Sequence, residues 1–139
     1  MSQRAIPLVL EAGSVSSAVE TAQTWLEEEG VDARAAMHVA LTLDELLTNA
    51  ATHGGAAGEA AEVRLAVQPD RVGVEIIDPA AAYDPRSAPK PDLGASLDDR
   101  PIGGLGVHLV TKLSRDLDYA RDKDRNRTNY WIARSLLQD

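Results

Sequence analysis

The sequence has no cysteine, which excludes disulfide cross-links, zinc knuckles and thiol catalysis at once. It also has no phenylalanine, and aromatic residues make up only 4% of the chain. Apolar residues still reach 44%, so a core is available but must be packed with aliphatic side chains and alanine. No apolar run approaches the roughly 18 residues needed to cross a bilayer. The opening MSQRAIPLVLEAGS lacks an apolar segment long enough for a signal peptide. No membrane role is expected, and the cytoplasm is the expected address. Basic residues are scarce: 14 Lys and Arg stand against 22 Asp and Glu, a formal net charge of -8. A surface that acidic repels phosphate backbones, which argues against nucleic acid as a general partner. The 3 histidines do not cluster with acids, so a transition-metal site is disfavoured. The length of 139 residues suits a single domain, 1–139.

Residues 4 to 11 (RAIPLVLE) read as a short strand, placed at a sheet edge by Pro7, which cannot donate to a ladder. A helix follows to about Glu29, with Ser14 or Ser16 as its N-cap, a buried stripe at Val15, Val19, Ala22 and Leu26, and Gly30 as its C-cap. A second helix runs from about Ala33 to Thr52. Alternation over 62–67 and 72–77, joined by Gln68-Pro69-Asp70-Arg71, predicts a hairpin. Residues 78 to 101 carry no period and predict a long surface loop, a length that is usually functional inside a compact domain. Gly103 to Gly106 opens a helix that continues through Leu113. Two strands, about 116–121 and 127–134, close the chain around the charged turn Asp122-Lys123-Asp124-Arg125-Asn126. This order, β-α-α-β-β-loop-α-β-β, predicts an α+β two-layer sandwich: a mixed, mainly antiparallel sheet with helices on one face.

The second helix carries the richest stretch, LTLDELLTNAATHG from Leu41 to Gly54. Val39, Leu43, Leu46, Leu47 and Ala50 share one face at helical spacing, and Glu45, Asn49 and His53 run as a polar stripe along its margin. A partly desolvated carboxylate there has a raised pKa and is a better base. An Asn carbonyl one turn away suits Mg²⁺, which takes few protein ligands beside substrate phosphates. The same triple equally suits an ordinary solvated face, and Asp44 points elsewhere. Asp78 follows an apolar strand where the chain leaves the sheet. It can accept a hydrogen bond from an exocyclic amine such as that of adenine, or simply initiate an Asp-Pro turn. Ile102-Gly103-Gly104-Leu105-Gly106-Val107 precedes a helix, where glycines allow close approach to an anion and free amides favour phosphate. It is neither a Walker A motif nor a dinucleotide fingerprint. His108, just beyond, suits packing or solvation.

Taken together and in order, ELLTNAATHG, IIDPAAAYDP and RPIGGLGVHLV resemble the N, G1 and G2 boxes of the GHKL ATPase superfamily. The closest resemblance is to the single-domain anti-sigma factor serine/threonine kinases, and DRNRTNYWI near the end is similar to the same subgroup. The resemblance implies the Bergerat, or histidine-kinase-like, ATPase fold, with ATP and Mg²⁺ as cofactors. By position, Glu45 would orient or deprotonate a partner's serine hydroxyl, and Asn49 would hold the magnesium ion. Asp78 would read the adenine amine, with Thr128 in the same pocket. Gly103, Gly104, Leu105, Gly106 and Val107 would form the phosphate-binding turn. Residues 84 to 103 would form the lid, from which Arg100 would reach the phosphates. The implied partners are a STAS-type anti-anti-sigma protein, a sigma factor and a second copy of the chain. One position departs from the pattern: Ala80 stands where the family has glycine. Glycine there permits positive φ and close adenine contact, and alanine resists both. Two other readings stay open: a binding module that is nucleotide-responsive or nucleotide-free, and the detached catalytic half of a two-component histidine kinase.

Overall fold

The computed structural model describes residues 1–87 and 104–134. Their order is β1 (Ser2–Val9), α1 (Ala12–Glu28), α2 (Ala33–Thr52), β2 (Ala60–Val67), β3 (Arg71–Asp78), a 3-10 turn (Pro85–Ser87), α3 (Gly104–Leu113), β4 (Arg115–Asp122) and β5 (Arg125–Ala133). Alternation decides which face of the sheet is dry. On β3, Val72, Val74, Ile76 and Asp78 are buried; on β5, Ile132, Tyr130, Thr128 and Asn126 are buried. These residues face each other rung by rung, ending in the pair Asp78 and Asn126. The apolar seam down the middle of the sheet therefore finishes in a polar rung.

The strands are ordered β1-β2-β3-β5-β4, and every described pairing is antiparallel. β1 is an edge strand, as Pro7 requires. The buried stripes of α1 and α2 join the inward side chains of the sheet in one hydrophobic cluster, each buried Leu or Val contributing about 1.5–3 kcal/mol. With no phenylalanine available, Tyr130 is the aromatic of that core. Its hydroxyl donates to Thr42 Oγ1 (2.8 Å), which donates to the Val39 carbonyl (2.9 Å). Burial pushes the Tyr130 hydroxyl well above the ordinary tyrosine range.

The helix ends refine the sequence expectations. α1 begins at Ala12, before both serines, and its N-cap Glu11 makes no side-chain cap. Ser14 lies inside the first turn, where its Oγ accepts from the Val9 amide (3.1 Å) and satisfies the strand rather than the helix. At the other end Gly30 takes φ +85. There Gly30 N–H bonds Glu27 O and Val31 N–H bonds Leu26 O, both at 3.0 Å. That is a Schellman motif with the buried pair Leu26 and Val31 as its apolar contact. Asp32 caps α2 by accepting from the Arg34 amide (2.8 Å). The turn between β4 and β5 is shorter than the sequence suggested. It holds only Lys123 and Asp124, so Asn126 belongs to the strand.

Candidate active site

One side of the candidate site is α2. Val39, Leu43, Leu46, Leu47 and Ala50 are buried as their spacing required, and Glu45 and Asn49 sit half-buried at the margin. Asp44 is exposed. His53 is exposed too, because the helix ends at Thr52 and His53 is its C-cap, donating its backbone N–H to Asn49 O. The polar stripe thus contracts to two residues. Burial, and secondarily the charge of Asp44, raises the Glu45 carboxyl above the ordinary carboxylate range.

α3 packs against α2 and buries Val107 and Val110. Gly106 lies in its first turn, and a Cβ at that position would overlap the Glu45 carboxylate. A side chain at this position would have to turn the Glu45 carboxylate aside. Two segments far apart in sequence, the N-box helix and the glycine turn, thereby meet at one carboxylate. Gly104 and Leu105 lie in the same first turn, whose backbone amides are oriented for an anion. Val107, 1% exposed, turns its side chain into the protein. Arg100, Gly103 and most of the expected lid lie outside the described residues.

The floor is the polar rung. Asp78 is 7% exposed, and its Oδ1 accepts from the Ala80 amide (2.9 Å) and from Asn126 Nδ2 (3.0 Å). Its Oδ2 has no hydrogen-bond partner among the described residues, so an acceptor is available for an amine donor. Thr128, 6% exposed, lies one rung away on the same face, opposite Ile76. Ala80 resolves the conflict raised by the missing glycine. Among the described residues only Asp116 and Lys123 combine a side chain with positive φ, so Ala80 does not need that conformation. The Asp78 side chain closes the turn instead. Room for the extra methyl comes from Gly54, where a Cβ would stand 2.6 Å from Ala80 Cβ and 2.8 Å from Ala50 O. Gly54 O also accepts from the Ala81 amide (3.1 Å), joining the end of α2 to the turn.

Asn126 is the site residue that sequence reasoning missed, having been assigned to a turn. Its Nδ2 also donates to the carbonyls of Ala80 (3.2 Å) and Ala81 (3.1 Å). Its Oδ1 accepts from Arg121 Nη1 (3.0 Å) and the Tyr119 hydroxyl. Arg121 Nη1 bonds Ala80 O as well (2.8 Å). The available signal was alternation: counting back by twos from Ile132 lands on Asn126. Past the floor, Asp84 accepts from the Arg86 amide (2.9 Å), while Arg86 reaches Asp118 on β4 (3.1 Å) and Pro85 is buried. These pairs are exposed and add little stability, but they fix where the loop departs.

Among the described residues no group of three or more His, Cys, Asp or Glu is placed to hold a metal. Asn49 offers a neutral amide oxygen, a donor type that magnesium takes beside phosphate oxygens.

Over residues 8–130 the sequence matches the family model of the histidine kinase-like ATPase domain. The chain belongs to this family. This ATPase-domain chain is 34% identical over 118 residues to serine/threonine-protein kinase BtrW of Bordetella bronchiseptica, covering 81% of this chain and 83% of that protein. Its fold matches the crystal structure of the RsbU and RsbW domains of Rv1364c from Mycobacterium tuberculosis with a TM-score of 0.68 at 15% identity. That match covers 97% of this chain and 34% of the other, so the ATPase-domain chain spans about a third of the longer one. The SiaB–SiaC complex of Pseudomonas aeruginosa matches with a TM-score of 0.59 at 14% identity, covering 94% of this chain and 89% of that one. At such identities the two structures speak for the fold alone.

Proposed function

We propose that this histidine kinase-like ATPase domain is an ATP-dependent serine kinase and anti-sigma factor in a partner-switching circuit. Its substrate would be a small STAS-type anti-anti-sigma protein. The observation that carries the reading is the convergence of Glu45, with its raised pKa, on the first turn of α3 at Gly106, with Asn49 one helical turn away and Asp78 on the floor. The 34% identity to a protein named as a serine/threonine kinase supports the same reading.

Phosphoryl transfer asks little covalent chemistry of a protein beyond positioning and charge neutralisation. Glu45 accepts the proton of the partner's serine hydroxyl as that oxygen bonds the terminal phosphorus and the bridging bond to ADP breaks. Asn49 would hold a magnesium ion, which would supply charge neutralisation at the phosphates. Asp78 accepts from the adenine amine, with Thr128 beside it, and the amides of the turn around Gly104 to Gly106 receive the phosphates. Arg100 and the lid are assigned to the phosphates by their place in the motif. Residues 1–139 would act as one domain, a homodimer in the cytoplasm, with a sigma factor as the second partner.

Calorimetric titration with Mg·ATP and Mg·ADP tests this. Micromolar binding is expected because Ala80 is accommodated without distortion. No binding at millimolar ATP would overturn the kinase reading and leave a protein that works by contact.

A further inference from the structure

We infer that Asn126 is the positioning residue that makes this site selective for a purine carrying an amine, rather than an oxygen, at carbon six. The inference rests on the nucleotide reading of the site and adds a residue and a selectivity to it.

A carboxylate has two equivalent oxygens, and its surroundings decide which one faces a ligand. At Asp78 that choice is made by two donors on one oxygen, the Ala80 amide and Asn126 Nδ2. The orientation of the Asn126 amide is itself fixed. Around Nδ2 stand three acceptors, Asp78 Oδ1 and the carbonyls of Ala80 and Ala81. Around Oδ1 stand the Arg121 guanidinium and the Tyr119 hydroxyl. Turning the amide over would set its oxygen against three acceptors. Asn126 is 4% exposed and Asp78 7%, so water does not readily replace a lost bond, and networks of this kind hold geometry strongly. With Oδ1 pinned, Oδ2 presents a pure acceptor. It receives an amine and repels a carbonyl oxygen, the kind of mismatch that discriminates best in a desolvated site. The same amide straps the carbonyls of Ala80 and Ala81, holding in place a turn that carries alanine where glycine is usual.

The test is calorimetric titration of the full chain with Mg·ATP and with Mg·ITP, whose base carries oxygen at carbon six. The wild-type chain is expected to favour ATP. In Asn126→Ala, ATP affinity should fall about tenfold more than ITP affinity, the scale set by one charge-assisted hydrogen bond. Asn126→Asp, which sets a second carboxylate against Asp78, should lower the ATP-to-ITP ratio further. Arg121→Met alters an exposed side chain, so the fold is retained even if the buried variants lose it. It removes a donor to Asn126 Oδ1 and Ala80 O and should lower the ratio by about threefold, less than a full hydrogen bond because Tyr119 remains. Equal losses of both nucleotides would assign Asn126 a scaffold role and overturn the inference. An unchanged ratio in Asn126→Ala and Arg121→Met would do the same, while leaving the nucleotide reading intact. A wild-type chain that binds neither nucleotide overturns both.

Discussion

Asp78 and Glu45 are both carboxylates at the margin of the same core, yet their surroundings differ sharply. Asp78 is 7% exposed, and one oxygen is held by two donors that are themselves held by Arg121 and Tyr119. Glu45 is half-buried on a helix and makes no side-chain hydrogen bond to another described residue. Its carboxylate occupies the space that a side chain at Gly106 would take. Recognition of a fixed group rewards a rigid acceptor prepared in advance. Transfer of a proton rewards a base whose pKa is raised and whose bonding capacity is still unspent. On the proposed reading, recognition falls to Asp78 at the sheet end of the site and chemistry to Glu45 at the helix end.

The largest effect expected is at the helix end. Glu45→Gln should reduce phosphate incorporation into a partner serine by about 100- to 10,000-fold, the usual range for losing a general base, while calorimetry shows ATP affinity unchanged. Retained transfer would break the division between the two ends. Asp78→Asn should do the reverse. Its new amide faces an amine with a donor, so ATP affinity should fall about 10- to 100-fold, as expected for a lost hydrogen bond to a charged group. Transfer at saturating ATP should change much less. Next comes the support beneath Asp78. Gly54→Ala places a methyl 2.6 Å from Ala80 Cβ and 2.8 Å from a backbone oxygen. It should destabilise the fold by about 1–3 kcal/mol, read as a lowered midpoint in thermal or urea unfolding.

The smallest effect is in pH dependence. In the proposed mechanism Glu45 works as the deprotonated base, so its raised pKa should move the acid limb of kcat to higher pH than an ordinary carboxylate gives. Transfer should rise as pH increases through that limb. Asp44→Asn removes the secondary cause of the shift and should move the limb down modestly, because desolvation is the larger cause. A limb that does not move would show that Asp44 is too well solvated to matter.

The elements of the fold were legible because their periods are clean. The stripe from Val39 to Ala50 and the alternations on β2 and β3 leave little choice of structure. Glu45, Asn49 and Asp78 were legible as positions, since spacing put two of them on one helix margin and the end of a strand marked the third. Their conjunction was not. That Gly106 admits the Glu45 carboxylate, and that Gly54 makes room for Ala80, are contacts between segments that no local pattern joins. His53 shares the spacing of Glu45 and Asn49 and still closes the last helical turn, but as the C-cap it is exposed. Asn126 was hidden by its neighbours: Asp122 to Arg125 look like a turn, and one residue of misplaced boundary hides an inward-facing amide. Ser14 was read as a cap because serine before a helix usually is one, whereas here a strand amide claims its oxygen.

The bond between the Tyr130 hydroxyl and Thr42 Oγ1 bears on the width of the site. It joins the central strand seam to α2 one turn ahead of Glu45, inside a dry interior where the alternative is an unpaired polar group. A ligand that touches both the polar rung and Glu45 has to span the gap between sheet and helix. Tyr130 and Thr42 serve as a spacer bar: they set how high the helix rides over the sheet. A molecule seated on Asp78 is thereby measured against Glu45.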